Sequence, residues 1–251
     1  MSGHSKWATT KHRKAAVDAK RSALFSKLSK IITVAAKTGG DPNPDNNASL
    51  AAAIEKAKSY SLPKDKIQTA IDKAFGSGAD AANYEEITYE GYGPAGVALY
   101  VEALTENRNR TAADVRAAFT RAGGSLGSTG SVAFQFERKG QIAVDKSGAT
   151  DEDELMLQVA DAGGEDLEEG DEEWLVYTMP GDLMAVSKAL EGAGVPVKGA
   201  ELVMEPVNTT AVSVEDAKKV MRLVDRLEEL DDIQNVYSTM EMTDEIVAAL
   251  D

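Results

Sequence analysis

The sequence predicts an α+β protein: an N-terminal three-helix domain followed by two ferredoxin-like α/β sandwich domains, the last inserted into the middle one. Apolar residues keep the helical period up to residue 79, and strands alternate with helices beyond it. Segment 132–205 carries enough elements for a complete sandwich, whereas 80–131 and 206–251 carry half a sandwich each. The predicted domains are therefore 1–79, 80–131 joined with 206–251, and 132–205.

The first helix is predicted over residues 15–37, because its apolar residues recur at helical spacing. Its predicted inner face consists of Val17, Leu24, Leu28, Ile31 and Ala35, widened by Phe25 and Ile32. Lys20 and Lys27 border this face and Lys30 lies further round, so we expect core and basic surface to be adjacent on one helix. Two shorter helices follow, the second with Pro63 in its first turn, where proline is tolerated.

Strands and helices alternate in the rest of the chain. Residues 87–89 and 97–104 are predicted strands, and residues 111–122 are a predicted helix. A hairpin is predicted between 134–136 and 141–144. The remaining predicted elements are a helix from Thr150, a strand at 174–177, a helix at 181–191, a strand at 197–204, a helix at 214–230 and a strand at 233–237.

The composition excludes several classes of protein. The chain has no cysteine, so disulfides, thiolate metal sites and cysteine nucleophiles are impossible. Both histidines, His4 and His12, lie in the N-terminal arm and no EF-hand pattern occurs, so neither a catalytic triad nor a metal centre is expected. There is no secretory signal, and no apolar run approaches the ~20 residues that span a bilayer. We therefore expect a cytoplasmic, non-enzymatic protein without cofactor, membrane contact or small-molecule substrate.

Charge is distributed unevenly along the chain. The net formal charge is −15, yet residues 1–80 hold fourteen Lys and Arg against seven Asp and Glu, a net of +7. Residues 81–251 hold 13 bases and 35 acids, a net of −22. Such polarity favours one end that binds a polyanion and one end that solvates the molecule, the alternative being that both charge runs only solvate the surface.

The first candidate site is the basic N-terminal arm together with the helix after it. Phosphate binding needs cations that can follow a backbone, and an aromatic ring beside them can stack on a base. The candidate nucleic-acid-binding residues here are Lys6, Trp7, Lys11, His12, Arg13, Lys14, Lys20, Arg21, Lys27 and Lys30. The alternative is a solvated basic tail, and the adjacent apolar helix face favours the binding site.

A second candidate is the NRNRT motif at residues 107–111, between a strand and a helix. Arg108 and Arg110 could bind a phosphate or the edge of an RNA base at the helix N-terminus. The alternative is that the motif is a capping loop with surface arginines. Residues 91–96 match a dinucleotide fingerprint, but a strand follows them where the fingerprint needs a helix, so no cofactor is expected. The acidic block 151–173 is interpreted as a solvated face, with catalytic carboxylates as the alternative.

Several motifs together resemble the YebC/PmpR family. They are GHSKW, KHRKA, YEGYGPAGVA, NRNRT, GSV and DDIQNVY. The resemblance runs from residue 3 to about 250 and implies a helical domain with two α/β domains. It also implies DNA-binding transcriptional regulation. The family also includes a mitochondrial relative that activates translation and bacterial members linked to the ribosome, so the resemblance allows RNA as the partner as well. The arm residues, Arg108 and Arg110 stand on motif positions of the family.

Three functional hypotheses follow. The first is a nucleic-acid-binding regulator of gene expression, resembling YebC-type transcriptional regulators, with DNA as its partner. The second is a translation factor that binds ribosomal RNA or the ribosome, which the lack of an evident base-reading motif favours because structured RNA is recognised by shape. The third is a protein-interaction module whose acidic domain binds basic partners and whose arm is incidental.

Overall fold

The chain folds into helices and antiparallel sheets, as a computed structural model shows. The residues that it describes are 18–76, 84–146, 151–170 and 173–250. Among them, three N-terminal helices precede two four-stranded sheets, which confirms the predicted α+β class. Two compact units are present, one formed by 18–136 with 206–250 and one by 137–205. No helix in these ranges is long and apolar enough to cross a bilayer.

Eight helices and eight strands occur within the described ranges. The helices are α1 (Asp18–Gly39), α2 (Ala48–Ser59), α3 (Lys64–Phe75), α4 (Arg108–Arg121), α5 (Glu152–Ala162), α6 (Leu183–Gly192), α7 (Val214–Glu228) and α8 (Asp244–Leu250). The strands are β1 (Glu85–Tyr92), β2 (Ala98–Thr105), β3 (Ser125–Leu126), β4 (Phe136–Asp145), β5 (Asp166–Glu169), β6 (Glu173–Thr178), β7 (Val197–Pro206) and β8 (Ile233–Ser238).

The sheet of the unit 137–205 has the strand order of a ferredoxin-like sandwich. In the unit 137–205 the chain runs β4-α5-β5-β6-α6-β7, and its strands lie in the order β5-β6-β4-β7. In the other unit the order β3-β1-β2-β8 arises from β1-β2-α4-β3 before the interruption and α7-β8 after it. Its two central strands, β1 and β2, are consecutive and antiparallel, so its strand order and its connections differ from those of the sandwich in the unit 137–205.

The predicted hairpin at 134–136 is wrong. Residues 133–135 form a 3-10 turn, and residues 136–145 form one continuous strand. The physical reason is Glu90 on β1, whose carboxylate accepts hydrogen bonds at 2.7 Å from the backbone N–H groups of Gly130, Val132 and Ala133. These three contacts bend the chain into the turn before the strand can begin.

The core of the helical domain lies on the predicted face of α1, with its centre shifted. Leu28, Ile32 and Ala36 are buried and pack on α2 and α3. Ile31 and Ala35, which the spacing placed at the centre, are half-buried at the edge. The face is therefore centred about one residue further along the helix than the sequence predicts.

Asn47 determines where α2 begins. It is 4% exposed, and its side-chain oxygen accepts a hydrogen bond at 3.0 Å from the N–H of Leu50. Its Nδ2 donates to the carbonyls of Ala35 at 3.0 Å and Asp41 at 3.1 Å. One side chain therefore caps α2 and ties it to the end of α1.

The glycine-rich loop at 91–96 joins two antiparallel strands and does not lead into a helix beyond a single 3-10 turn. A Cβ on Gly91 would lie 2.6 Å from the carbonyl oxygen of Ser125, and one on Gly124 would lie 2.5 Å from that of Tyr92. These glycines are needed because the backbones of β1 and β3 approach closely. The match to a dinucleotide fingerprint therefore has a packing explanation.

Candidate nucleic-acid interface

Much of the predicted basic surface falls outside the described residues. This applies to Lys6, Trp7, Lys11, His12, Arg13 and Lys14. Lys20 and Arg21 belong to the first turn of α1, where only the backbone is described. The structure therefore locates the side chains of four candidates, which are Lys27, Lys30, Arg108 and Arg110.

Lys27 is a buried residue of α1, which corrects its predicted position on the basic surface. It is 9% exposed, and its Nζ donates a hydrogen bond to the carbonyl oxygen of Glu228, the last residue of α7. The last carbonyls of a helix lack partners within the helix and carry partial negative charge, so a buried ammonium group is stabilised there. Lys27 therefore joins the helical domain to α7.

Lys30 and Arg110 converge on Asp232, the residue before β8. Its Oδ1 accepts a hydrogen bond from Lys30 Nζ at 3.1 Å, and its Oδ2 accepts one from Arg110 Nη2 at 2.9 Å. Oδ2 also accepts from the hydroxyl groups of Thr111 at 2.8 Å and Thr105 at 3.1 Å. We call these five residues the Asp232 cluster. It connects α1, the end of β2, the first turn of α4 and the start of β8.

The electrostatics of the Asp232 cluster favour a permanent carboxylate. Burial opposes the charged form of Asp232, whose side chain is 11% exposed. Hydrogen bonds from Arg110, Thr111 and Lys30 outweigh burial and lower the pKa of Asp232 to about 2. The hydrogen bond to Asp232 in turn raises the pKa of Arg110. A phosphate that approached Lys30 or Arg110 would compete with a carboxylate already in place.

The NRNRT motif caps α4. The Asn107 side-chain oxygen accepts a hydrogen bond at 3.1 Å from the N–H of Arg110, and the Asn107 N–H donates to Thr105 Oγ1 at 2.9 Å. Arg108 is exposed, while its carbonyl oxygen accepts a hydrogen bond from the Tyr89 hydroxyl at 3.4 Å. Phosphate contact by Arg108 and Arg110 therefore stays a prediction, and capping is the role visible in the geometry.

Sequence reasoning missed Asp232 and the exposed face of α3. An acid placed directly before an apolar strand was a usable signal for a buried carboxylate.

A four-residue turn, 60–63, joins α2 to α3, with Ser61 in the left-handed region at φ 59°. Helix-turn-helix motifs use a connection of this length. The exposed residues of α3 include Lys64, Lys66, Gln68, Thr69 and Lys73.

The described ranges contain no group of three or more His, Asp or Glu side chains that could hold a metal ion. The first turn of α5, at residues 151–154, is exposed to solvent, as expected for a solvated acidic face. One carboxylate of the same unit behaves differently. Burial, aided by the charge of Glu168, raises the pKa of Glu205 on β7 to about 7. A hydrogen bond with the Tyr177 side chain lowers this pKa but does not offset burial.

Comparison with known proteins is consistent along the whole chain. Residues 5–77 match the family model "TACO1/YebC protein N-terminal domain", and residues 84–240 match "TACO1/YebC second and third domain". A "probable transcriptional regulatory protein" of Bifidobacterium longum is 53% identical over 251 residues, covering 100% of this chain and 99% of the relative. A Lactobacillus acidophilus protein with the same descriptive name is 54% identical over 239 residues, covering 95% and 98%. The crystal structure of a conserved hypothetical protein from Aquifex aeolicus matches with a TM-score of 0.84 and 43% identity, covering 92% and 95%.

Proposed function

Because the chain belongs to the TACO1/YebC family, we propose that it is a non-enzymatic regulator of gene expression that binds nucleic acid through its basic N-terminal domain. The descriptive names of its relatives support the regulatory role. The observation that carries the binding proposal is the net charge of +7 in residues 1–80 against −22 in residues 81–251. A polyanion is attracted to the first region and repelled by the second, so the charges orient the protein on its partner.

The arm and the start of α1 supply the proposed phosphate contacts. They are Lys6, Lys11, Arg13, Lys14, Lys20 and Arg21, with Trp7 and His12 as stacking residues. Lys27 and Lys30 are left out, because their ammonium groups bind a helix C-terminus and Asp232. Arg108 is kept as an exposed additional contact.

The proposed partner is DNA, following the descriptive names of the relatives. A second candidate, structured RNA such as ribosomal RNA, is favoured by the surface of α3. This helix carries three lysines and two aspartates and no arginine, the side chain that most often reads guanine in the major groove. The amide of Gln68 donates to Asp72 at 2.9 Å. Such a face suits recognition of backbone and shape better than reading of bases.

Replacing Lys11, Arg13 and Lys14 with alanine tests the proposed arm. The dependence of log K on log salt should flatten by about 0.9 per lost duplex phosphate contact, or about 0.7 on a single strand. Fluorescence anisotropy with a duplex DNA and with a ribosomal RNA fragment, across a salt series, measures both affinity and slope. The matched control replaces three exposed bases of the unit 137–205, Arg138, Lys188 and Lys198. An arm variant with the affinity and slope of the unmodified chain would eliminate the arm as the contact.

Crosslinking in cells, followed by sequencing of DNA and RNA together, separates the two partners. Enrichment of promoter DNA supports a transcriptional regulator, and enrichment of ribosomal RNA supports a translation factor. Deletion of residues 1–21 tests the remaining alternative, a protein-interaction module. If protein partners are retained and the full chain binds neither nucleic acid, that alternative replaces the proposal.

A further inference from the structure

A groove with a basic lining lies between α4 and α7. Its volume is about 480 Å³, and both helices belong to the same compact unit. Its charged lining residues are Arg121, Lys219, Arg222 and Arg226 against Asp225 and Glu229. The lining is therefore net positive, although it lies within the part of the chain, 81–251, that carries a net charge of −22.

Three arginines of the groove differ from the cations of the Asp232 cluster in their partners. Arg121, Arg222 and Arg226 are exposed, and none of them forms an ion pair with a carboxylate of the described ranges. Arg222 Nε donates to the carbonyl oxygen of Lys218, at 3.1 Å. Lys219, by contrast, is already paired with two acids of its own helix. The three guanidinium groups are exposed positive charges that a ligand can reach.

The spacing of these arginines brings like charges together. Arg222 and Arg226 are four residues apart on α7 and therefore lie on the same helix face, where like charges repel. Arg121, in the last turn of α4, adds a third cation from the other wall of the groove. A bound anion relieves this repulsion, and the planar guanidinium fork matches the oxygen geometry of a phosphate.

We propose that the groove between α4 and α7 binds the phosphate backbone of the same nucleic acid that the N-terminal domain binds. This inference rests on the proposed function and adds a second contact, whose arginines lie about 100 to 200 residues after the arm in sequence. The walls are helices that contact strands of one sheet and bury residues such as Phe119 and Leu227. The groove therefore presents preformed cations and requires no ordering of a flexible segment on binding.

The test is the triple variant R121Q/R222Q/R226Q in the full chain, measured by anisotropy with duplex DNA and with a ribosomal RNA fragment. If each arginine contacts one duplex phosphate, the log–log salt slope falls by about 2.7. Between 50 and 200 mM salt the unmodified chain then loses about 40-fold more affinity than the variant. The control R138Q/K188Q/K198Q makes the same change of net charge in the other unit and should leave the slope unchanged. Circular dichroism checks that each variant folds, as expected for exposed positions.

Measuring the arm variant in parallel separates the two proposals. If the arm variant loses affinity and slope while the groove variant and its control match the unmodified chain, the groove proposal is overturned and the proposed function stands. If the unmodified chain binds neither nucleic acid with salt dependence, both are overturned. If the groove variant keeps nucleic-acid binding but loses an acidic protein partner, the groove belongs to that partner and the proposal fails.

Discussion

The substitution Asp232→Asn removes one charge from the centre of the Asp232 cluster and keeps the size of the side chain. Its cost can be worked out in two ways. The shift of the Asp232 pKa from 3.8 to about 2 corresponds to about 2.5 kcal/mol of folding free energy, at about 1.4 kcal/mol per unit. Hydrogen bonds to charged groups contribute about 1.5–3 kcal/mol each, and an asparagine retains weaker versions of some of them. We expect a loss of about 2–3 kcal/mol.

The assay must report on the unit that contains the cluster. Trp174 lies in the unit 137–205, so its fluorescence is a poor reporter for Asp232. Hydrogen exchange read by mass spectrometry is better, because the N–H of Leu104 donates to the carbonyl oxygen of Asp232 at 2.8 Å. Peptides that cover this contact should exchange faster in the variant, and urea unfolding followed by circular dichroism gives the free energy.

The effect of Asp232→Asn on stability should depend on pH, whereas a purely steric effect would not. The folded pKa of Asp232 is lowered, so its contribution is present above its unfolded value near 3.8 and is lost as pH falls through about 2. The free-energy difference between the unmodified chain and Asp232→Asn should be constant from pH 7 to pH 5 and shrink below pH 4. The matched control is Asp231→Asn, an exposed neighbour, which should change stability by less than about 0.5 kcal/mol. Equal effects of the two substitutions would refute the reasoning.

Three further predictions concern stability. Glu90→Gln should destabilise the 130–133 turn by about 1–3 kcal/mol, because one amide cannot accept three backbone N–H bonds; unchanged hydrogen exchange there would contradict this. Burial raises the pKa of Glu205 to about 7, so the folded protein loses stability as pH rises from about 4.5 through 7 and this carboxyl group ionises. Glu205→Gln removes that loss, so the variant should gain about 1–3 kcal/mol of stability relative to the unmodified chain between pH 5 and pH 8. A gain that does not vary with pH would count against it, and Trp174 fluorescence follows the unfolding. Lys27→Met should lose about 1–2 kcal/mol in urea unfolding by releasing the carbonyl of Glu228, with the salt slope of nucleic-acid binding unchanged; a flattened slope would assign Lys27 to phosphate instead.

Local patterns predicted the elements whose signal lies within one segment. The periodicity of α1 and α7 and the proline in the first turn of the third predicted helix led to helices at the right places, although the structure begins α3 one residue later, at Lys64. The face of α1 was displaced by about one residue, because the packing of α2 and α3 selects which of several adjacent apolar side chains becomes the centre. The hairpin at 134–136 failed because Glu90, more than forty residues away, holds the turn.

The roles of individual lysines and arginines could not be predicted from local patterns. Lysines and arginines look alike in sequence, yet Lys27 binds a helix C-terminus, Lys30 and Arg110 bind Asp232, and Arg121 and Arg226 line an open groove. The partners of Lys27, Lys30 and Arg110 lie about 100 to 200 residues away from them along the chain. A charge count cannot separate these cases, because the difference is made by which carboxylate or carbonyl lies within about 3 Å.

The sequence by itself determined the three N-terminal helices and most of the later elements, the absence of thiol chemistry and the separation of positive from negative charge, since each of these is a property of composition or of neighbouring residues. Only the tertiary structure decided which positive charges form contacts within the molecule and which are exposed to a ligand. The physical reason is that electrostatic interactions act through space, and the fold alone brings α1, α4, α7 and β8 within reach of one another.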